Sequence, residues 1–215
     1  MTFRLLRDGS GYALVESGFR RRPLRVDFAA VHARVTRGGR ELLTRAISAR
    51  VGMHVIDCTA GLGTDSFVMA SRGCEVTMVE RSNTLYLMLE DALARAREIE
   101  SLAPTVQRMR LVRGDARHVL SSIEGPPPDV VYIDPMFPGR KKSALVKSEL
   151  QVLQRLLGAD EPVLTLVKIA RAVATERVVV KRPLRGGALE GIIPTGSVTG
   201  KASRFDIFAP DPKVT

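Results

Sequence analysis

Two stretches hold residue types whose order and spacing could do chemistry. In Val55-Ile56-Asp57-Cys58-Thr59-Ala60-Gly61-Leu62-Gly63-Thr64-Asp65 an apolar run ends in a carboxylate, small residues follow, and an apolar-periodic segment begins at Ser66. The pattern is a strand, a ligand-binding turn and a helix, with Gly61 and Gly63 able to take positive φ and to let a ligand approach the main chain. A dinucleotide-binding GxGxxG would need a third glycine where this chain has Ser66, so a dehydrogenase reading starts with a defect. In Val130-Val131-Tyr132-Ile133-Asp134-Pro135-Met136-Phe137-Pro138 a second apolar run ends in an acid, a proline sets the backbone direction, and an aromatic ring follows. Glu80 ends another such run and is placed to accept hydrogen bonds from both hydroxyls of a ribose. Asp115, in Gly114-Asp115-Ala116, could bind an adenine amino group or cap the helix that follows; the sequence favours neither. Asp65 falls in a first helical turn, where a carboxylate also interacts favourably with the helix dipole.

These acids need a scaffold that gathers strand ends. From Met53 the chain alternates strand and helix patterns, which argues for a mainly parallel sheet covered on both faces. The expected strands are 53–57, 75–79, 109–113, 129–133 and 177–181, with two last extended pieces, 192–199 and 204–208, as an antiparallel hairpin at the sheet edge. In such a sheet, ligands sit beyond the carboxyl ends of the strands, where strand order reverses. Helices are expected at 36–50, at 84–100 with Ser82 or Asn83 as cap, at 144–157, and at 161–175 with Asp160 as cap. Phe3 to Arg7 and Tyr12 to Glu16 flank Asp8-Gly9-Ser10-Gly11 as a β-hairpin, and Leu24 to Phe28 alternates like another short strand. The expected fold class is therefore α/β and Rossmann-like, with a small N-terminal β appendage over 1–35 and the main domain over 36–215.

The 215 residues carry a formal charge of +10, which points to a polyanionic partner, nucleic acid first. The excess is uneven: residues 20 to 50 hold nine arginines against Asp27 and Glu41. Arg20, Arg21, Arg22, Arg37, Arg40, Arg140, Lys141, Lys142, Lys147, Lys181 and Arg182 are the expected phosphate contacts. Cys58 and Cys74 are too few for a disulfide scaffold and lack metal-site spacing, so they read as buried reduced thiols and no metal is expected. No apolar run of membrane-spanning length and no signal-peptide pattern is seen, and a cytoplasmic location is expected.

The turn Asp57-x-x-x-Gly61-x-Gly63 resembles motif I of class I S-adenosylmethionine (SAM)-dependent methyltransferases, and Asp134-Pro135-Met136-Phe137 resembles the acid-proline-proline-aromatic motif of methyltransferases acting on exocyclic amino groups of bases. That chemistry explains the residue types. The amino lone pair is delocalised into the base, so acceptors must hold its hydrogens while the nitrogen pyramidalises toward an electrophilic methyl. The Asp134 carboxylate and the Pro135 carbonyl would be those acceptors, and Phe137 would stack on the base. Together with Ala70-Ser71-Arg72-Gly73-Cys74, Glu80-Arg81, Lys142-Ser143-Ala144-Leu145-Val146-Lys147, Val178-Val179-Val180-Lys181-Arg182-Pro183 and Arg204-Phe205-Asp206-Ile207-Phe208, these motifs resemble the bacterial ribosomal RNA small subunit methyltransferase J family. The resemblance implies SAM-dependent methylation of a guanine N2 in 16S ribosomal RNA, alone or in the small subunit. It places Thr64, Asp65, Glu80, Arg81, Asp115, Ala116 and Asp134 at SAM-contacting positions. The rival readings are methylation of another base, such as adenine N6, and a non-catalytic RNA-binding assembly factor.

Overall fold

A computed structural model describes residues 3–16, 23–38, 41–135, 163–187, 189 and 191–212. Its centre is a seven-stranded sheet built from β3 (His54–Asp57), β4 (Glu75–Glu80), β5 (Met109–Arg113), β6 (Val130–Ile133), β7 (Arg177–Pro183), β8 (Gly196–Thr199) and β9 (Ser203–Phe208). The spatial order is β5-β4-β3-β6-β7-β9-β8, parallel from β5 to β7 and antiparallel where β9 joins β7 and β8. The chain moves outward from β3 to β4 and β5, then returns to lay β6 on the other side of β3. Strand order thus reverses between β3 and β6, opening a crevice at their carboxyl ends.

The two-residue period of the strands separates two apolar layers. Val55, Val76, Met78, Val130, Tyr132 and Val179 face one core. Ile56, Val79, Val131, Ile133, Val178 and Val180 face the other. The first layer is covered by α1 (Phe28–Thr36), α2 (Glu41–Ile47), α3 (Thr64–Ala70), α4 (Asn83–Arg97) and α5 (Ala103–Val106). The second is covered by α6 (Ala116–Ser121) and α7 (Val163–Val173). Ser82 caps α4, its hydroxyl accepting the Leu85 amide. The expected helix 144–157 and the Asp160 cap lie outside the described residues.

The N-terminal hairpin is present as β1 (Phe3–Asp8) and β2 (Gly11–Glu16). Two expectations nearby need correction. Leu24 to Phe28 is no strand: only Leu24 pairs, with Leu14, and Asp27 caps α1 by accepting the Ala30 amide at 2.9 Å. The apolar alternation belongs to a connection followed by a helix whose Phe28 and Val31 point inward. The helix expected over 36–50 is shorter, α2 at Glu41–Ile47: α1 already ends at Thr36, and Gly38 at φ +85° takes the chain through the left-handed region before α2 begins. Phe28 stacks on Phe67 of α3 with centroids 5.4 Å apart. Leu14, Leu24, Val26 and Phe28 consequently share one core with Val55 and Leu89. Asp91 of α4 accepts the Tyr12 amide at 3.3 Å and the Arg95 Nε at 2.8 Å, fastening the hairpin to the main domain.

Candidate functional site at the strand-order reversal

The turn after β3 is organised from below by Asp57. This carboxyl is buried; Oδ2 accepts the Ser66 hydroxyl at 2.5 Å and Oδ1 accepts the Thr59 amide at 3.0 Å. Its bonds are spent shaping the turn, so it acts as scaffold. Burial pushes its pKa up to about 7 against the opposing pull of the Ser66 and Thr59 hydrogen bonds. A carboxyl whose folded pKa lies above its unfolded value near 3.8 contributes stability that is complete below the unfolded value and is lost as pH rises through about 7. Asp57→Asn, whose amide can donate to the Ser66 oxygen, should remove that dependence. Urea unfolding at pH 5 and pH 8 is expected to show wild-type stability falling by about 2 kcal/mol more than that of the variant.

Gly61 and Gly63 both have positive φ, +56° and +69°, but for different purposes. A Cβ on Gly61 would meet only the Thr59 carbonyl at 3.7 Å, so this side of the turn is open to a ligand. A Cβ on Gly63 would lie 2.9 Å from Leu89 Cδ2 and 3.1 Å from the Phe28 ring. Gly63 is therefore required by helix packing against α1 and α4, and Gly61 by the open face.

Glu80 ends β4 almost fully buried, with Oε2 accepting the Gly61 amide at 2.9 Å and Oε1 the Ser82 amide at 2.7 Å. Burial raises its pKa, with the two backbone bonds pulling the other way. A carboxylate offers about four lone-pair sites, so each oxygen retains capacity for another donor such as a ribose hydroxyl. The open face at Gly61 and this anchored carboxylate beside it fit the ribose end of SAM. Arg81 follows at the surface, while Thr64 and Asp65 open α3 and are half-buried.

Asp115 caps α6 through the Arg117 amide, and Arg117 also binds it with Nε at 3.0 Å and a terminal nitrogen at 2.8 Å. The hydrogen bond from Arg117 is the main reason its pKa falls to about 2. The capping role is thus realised, on an acid held ionised at the mouth of the crevice next to the buried Ala116.

Across the reversal, Asp134 follows β6. Its amide donates to Thr59 Oγ1 at 2.7 Å, joining the strand end to the turn after β3. Lys181 of β7 donates to Asp134 Oδ2 at 2.5 Å and to Asp65 Oδ2 at 2.7 Å. Asp65 also accepts the Tyr132 hydroxyl at 2.7 Å. Burial works against the lysine ammonium, but the Asp134 and Asp65 carboxylates outweigh it and hold its pKa above the ordinary value. Burial likewise drives the Tyr132 phenol well above its usual range, with the surrounding carboxylates adding to the effect, so it stays a donor.

This arrangement has counterparts. The family model described as a putative SAM-dependent methyltransferase matches residues 2–210. The ribosomal RNA small subunit methyltransferase J of Pseudomonas fluorescens is 45% identical over 192 residues, covering 86% of this chain and 74% of the relative. The protein of that name from Ectopseudomonas mendocina is 42% identical over 213 residues, covering 96% and 82%. The chain belongs to the ribosomal RNA small subunit methyltransferase J family. Among solved structures, a SAM-dependent methyltransferase from Neisseria gonorrhoeae superposes with a TM-score of 0.78 at 34% identity, covering 96% of this chain and 82% of that one. The family's cofactor is SAM, and Glu80 and the Gly61 turn are the parts of this chain suited to hold it.

Within this methyltransferase J family member the structure gathers Asp57, Gly61, Gly63, Thr64, Asp65, Glu80, Asp115 and Asp134 around the carboxyl ends of β3 to β6. Lys181 and Arg182, expected at phosphates, are engaged elsewhere: Lys181 with two carboxylates, and buried Arg182 with the Gly187 carbonyl at 2.5 Å. Arg20, Arg21, Arg22, Arg40, Phe137, Arg140, Lys141, Lys142 and Lys147 lie outside the described residues. Arg37 is exposed at the end of α1. Thr59, Ser66 and Tyr132 join the site beyond the residues expected from the sequence, through the Asp134 amide, the Asp57 carboxyl and the Asp65 carboxylate. Tyr132 carried a signal, since a tyrosine in a fully apolar strand must find a partner for its hydroxyl. Among the described residues no group of His, Cys, Asp or Glu could hold a metal ion, and no helix is long and apolar enough to cross a membrane.

Proposed function

We propose that this protein transfers a methyl group from SAM to the exocyclic N2 of a guanine in 16S ribosomal RNA, acting in the cytoplasm on the RNA or the small subunit. The observation that carries the reading is Asp134: a carboxylate at the end of β6, fixed through its amide to the glycine turn and through Oδ2 to Lys181. The names and extent of the relatives support the RNA substrate.

SAM supplies the electrophilic methyl group. Glu80 would bind its ribose, and the Gly61 face would receive its backbone-contacting portion. Asp134 would accept a hydrogen bond from the guanine amino group, with the Pro135 carbonyl as second acceptor, so that the nitrogen lone pair turns out of the ring. Forming the new N–C bond would break the methyl–sulfur bond of SAM, leaving the neutral thioether S-adenosylhomocysteine, and the methylated amino group would give up one proton. The Asp134 carboxylate would accept that proton and later release it to solvent. Phe137 would stack on the extruded base.

Methylation of undermodified small-subunit RNA and particles with labelled SAM, followed by nucleoside digestion and mapping, tests this reading. Labelled N2-methylguanosine at one position is the expected product. Labelled N6-methyladenosine would reassign the base, and no product with RNA bound would favour an assembly factor.

The arginine-rich N-terminal region is assigned to the RNA. Replacing Arg20, Arg21 and Arg22 together with alanine should weaken RNA binding and flatten the dependence of log affinity on log salt by up to about three units, with SAM affinity unchanged. Filter binding across a salt series reads this directly, and an unaltered slope would assign the run to solvated surface.

A further inference from the structure

Lys181 invites a different assignment from a phosphate contact. It sits in β7, one residue beyond Val180, which pairs with Ile133, so the sheet register itself brings its side chain beside Asp134. Side-chain exposure is 34% for Asp134, 22% for Lys181 and 11% for Asp65. The exposure falls from the crevice inward, so Asp134 is the member able to meet a substrate and Asp65 is the enclosed anchor. Asp65 is itself held by the Tyr132 hydroxyl. One ammonium therefore links a fixed carboxylate to the more open one.

We propose that Lys181 is a positioning residue for methyl transfer, which orients the Asp134 carboxylate toward the substrate amino group and compensates the charge of the Asp65 and Asp134 pair. The proposal rests on the methyltransferase reading above. A carboxylate at a strand end can rotate about its side-chain torsions. Pinning Oδ2 to Lys181 restricts that rotation before substrate arrives, which is how a preorganised acceptor lowers a barrier without reorganising. Charge balance matters equally. Two carboxylates within hydrogen-bond reach of one point resist joint ionisation, and the cation between them keeps Asp134 available as an anion. The charged or titratable groups facing Asp134 among the described residues include Lys181 from β7, Asp65 from α3, Asp57 from β3 and Tyr132 from β6. Of these four groups, Lys181 carries the positive charge.

The test pairs a readout that needs no RNA with one that does. The Asp134 carboxyl is followed by carbon NMR across pH in wild type, Lys181→Met and Lys181→Arg. Single-turnover methylation and SAM affinity are measured on the same proteins. Lys181→Met is expected to raise the Asp134 titration by about one pH unit and to slow single-turnover methylation by about tenfold or more, with SAM and RNA affinity nearly kept. Lys181→Arg should restore the titration but only part of the rate, since its planar fork meets the carboxylates differently. If Lys181→Met does not fold, the Lys181→Met, Asp65→Asn double variant removes one carboxylate with the lysine and keeps the local charge. It should regain wild-type thermal stability yet remain slow. An unmoved Asp134 titration in Lys181→Met, or a wild-type rate in either methionine variant, overturns the role of Lys181 and leaves the function reading standing. A wild type that methylates no RNA overturns that reading and the proposal with it, even if the titration moves.

Discussion

Asp134→Asn is expected to lower single-turnover methylation by about 10²-fold, and Asp134→Ala by at least as much, the scale for losing one preorganised electrostatic contact to a reacting group. The asparagine keeps the shape and one acceptor oxygen but loses the negative charge. It therefore isolates what the charge contributes as positive character develops on the amino nitrogen. The backbone bond from residue 134 to Thr59 Oγ1 does not depend on the side chain, so the strand end should stay in place in both variants. RNA affinity should be nearly kept. SAM affinity is a less clean reporter, because Asp134 lies beside the cofactor's expected position. Wild-type single-turnover rates in both variants, at saturating RNA and SAM, would move the catalytic centre elsewhere.

The second large effect is expected at Glu80. Glu80→Ala removes the acceptor for a ribose and also strands the Gly61 and Ser82 amides, which donate to it at 2.9 and 2.7 Å. Leaving buried donors unpaired costs about 1–3 kcal/mol, so SAM should bind roughly tenfold to 10²-fold more weakly. Glu80→Gln separates the two contributions. Its one carbonyl oxygen can satisfy one amide only, and its amide group would confront the other. Calorimetry should therefore find it closer to alanine than to wild type. Unchanged affinity in both folded variants would remove Glu80 from the cofactor site.

Much of the scaffold is visible in local pattern. The five parallel strands begin and end within a residue or two of the expected bounds, most plainly β3, β6 and β7, whose burial on both faces leaves a continuous apolar run. The glycine turn and the acids at strand ends are legible for the same reason: their positions follow from where runs stop. Lys181 is not legible as a partner of Asp134. Nothing local distinguishes it from the neighbouring arginine, and its role appears only once Val180 is known to pair with Ile133 across the sheet. The purpose of Gly63 is hidden in the same way, because the Phe28 and Leu89 side chains that exclude a Cβ come from elements distant in sequence. At the N-terminus the signal was present but ambiguous. Leu24, Val26 and Phe28 alternate like a strand, while Asp27 is also a good cap, and the tertiary demand for Phe28 over Phe67 resolves the choice in favour of the helix.

The lysine bridge also has a bearing on the order in which the site can come into being. Asp65 and Asp134 are 116 and 47 residues away from the cation they share. A growing chain that has emerged only as far as β6 therefore presents both acids without the ammonium that reconciles them. Contacts across such long separations form late, because loop closure must precede the gain they bring. β7 supplies the last parallel strand and the counter-charge in one docking event. A chain in the act of being synthesised on a ribosome thus completes its acceptor only once all five parallel strands have been laid down.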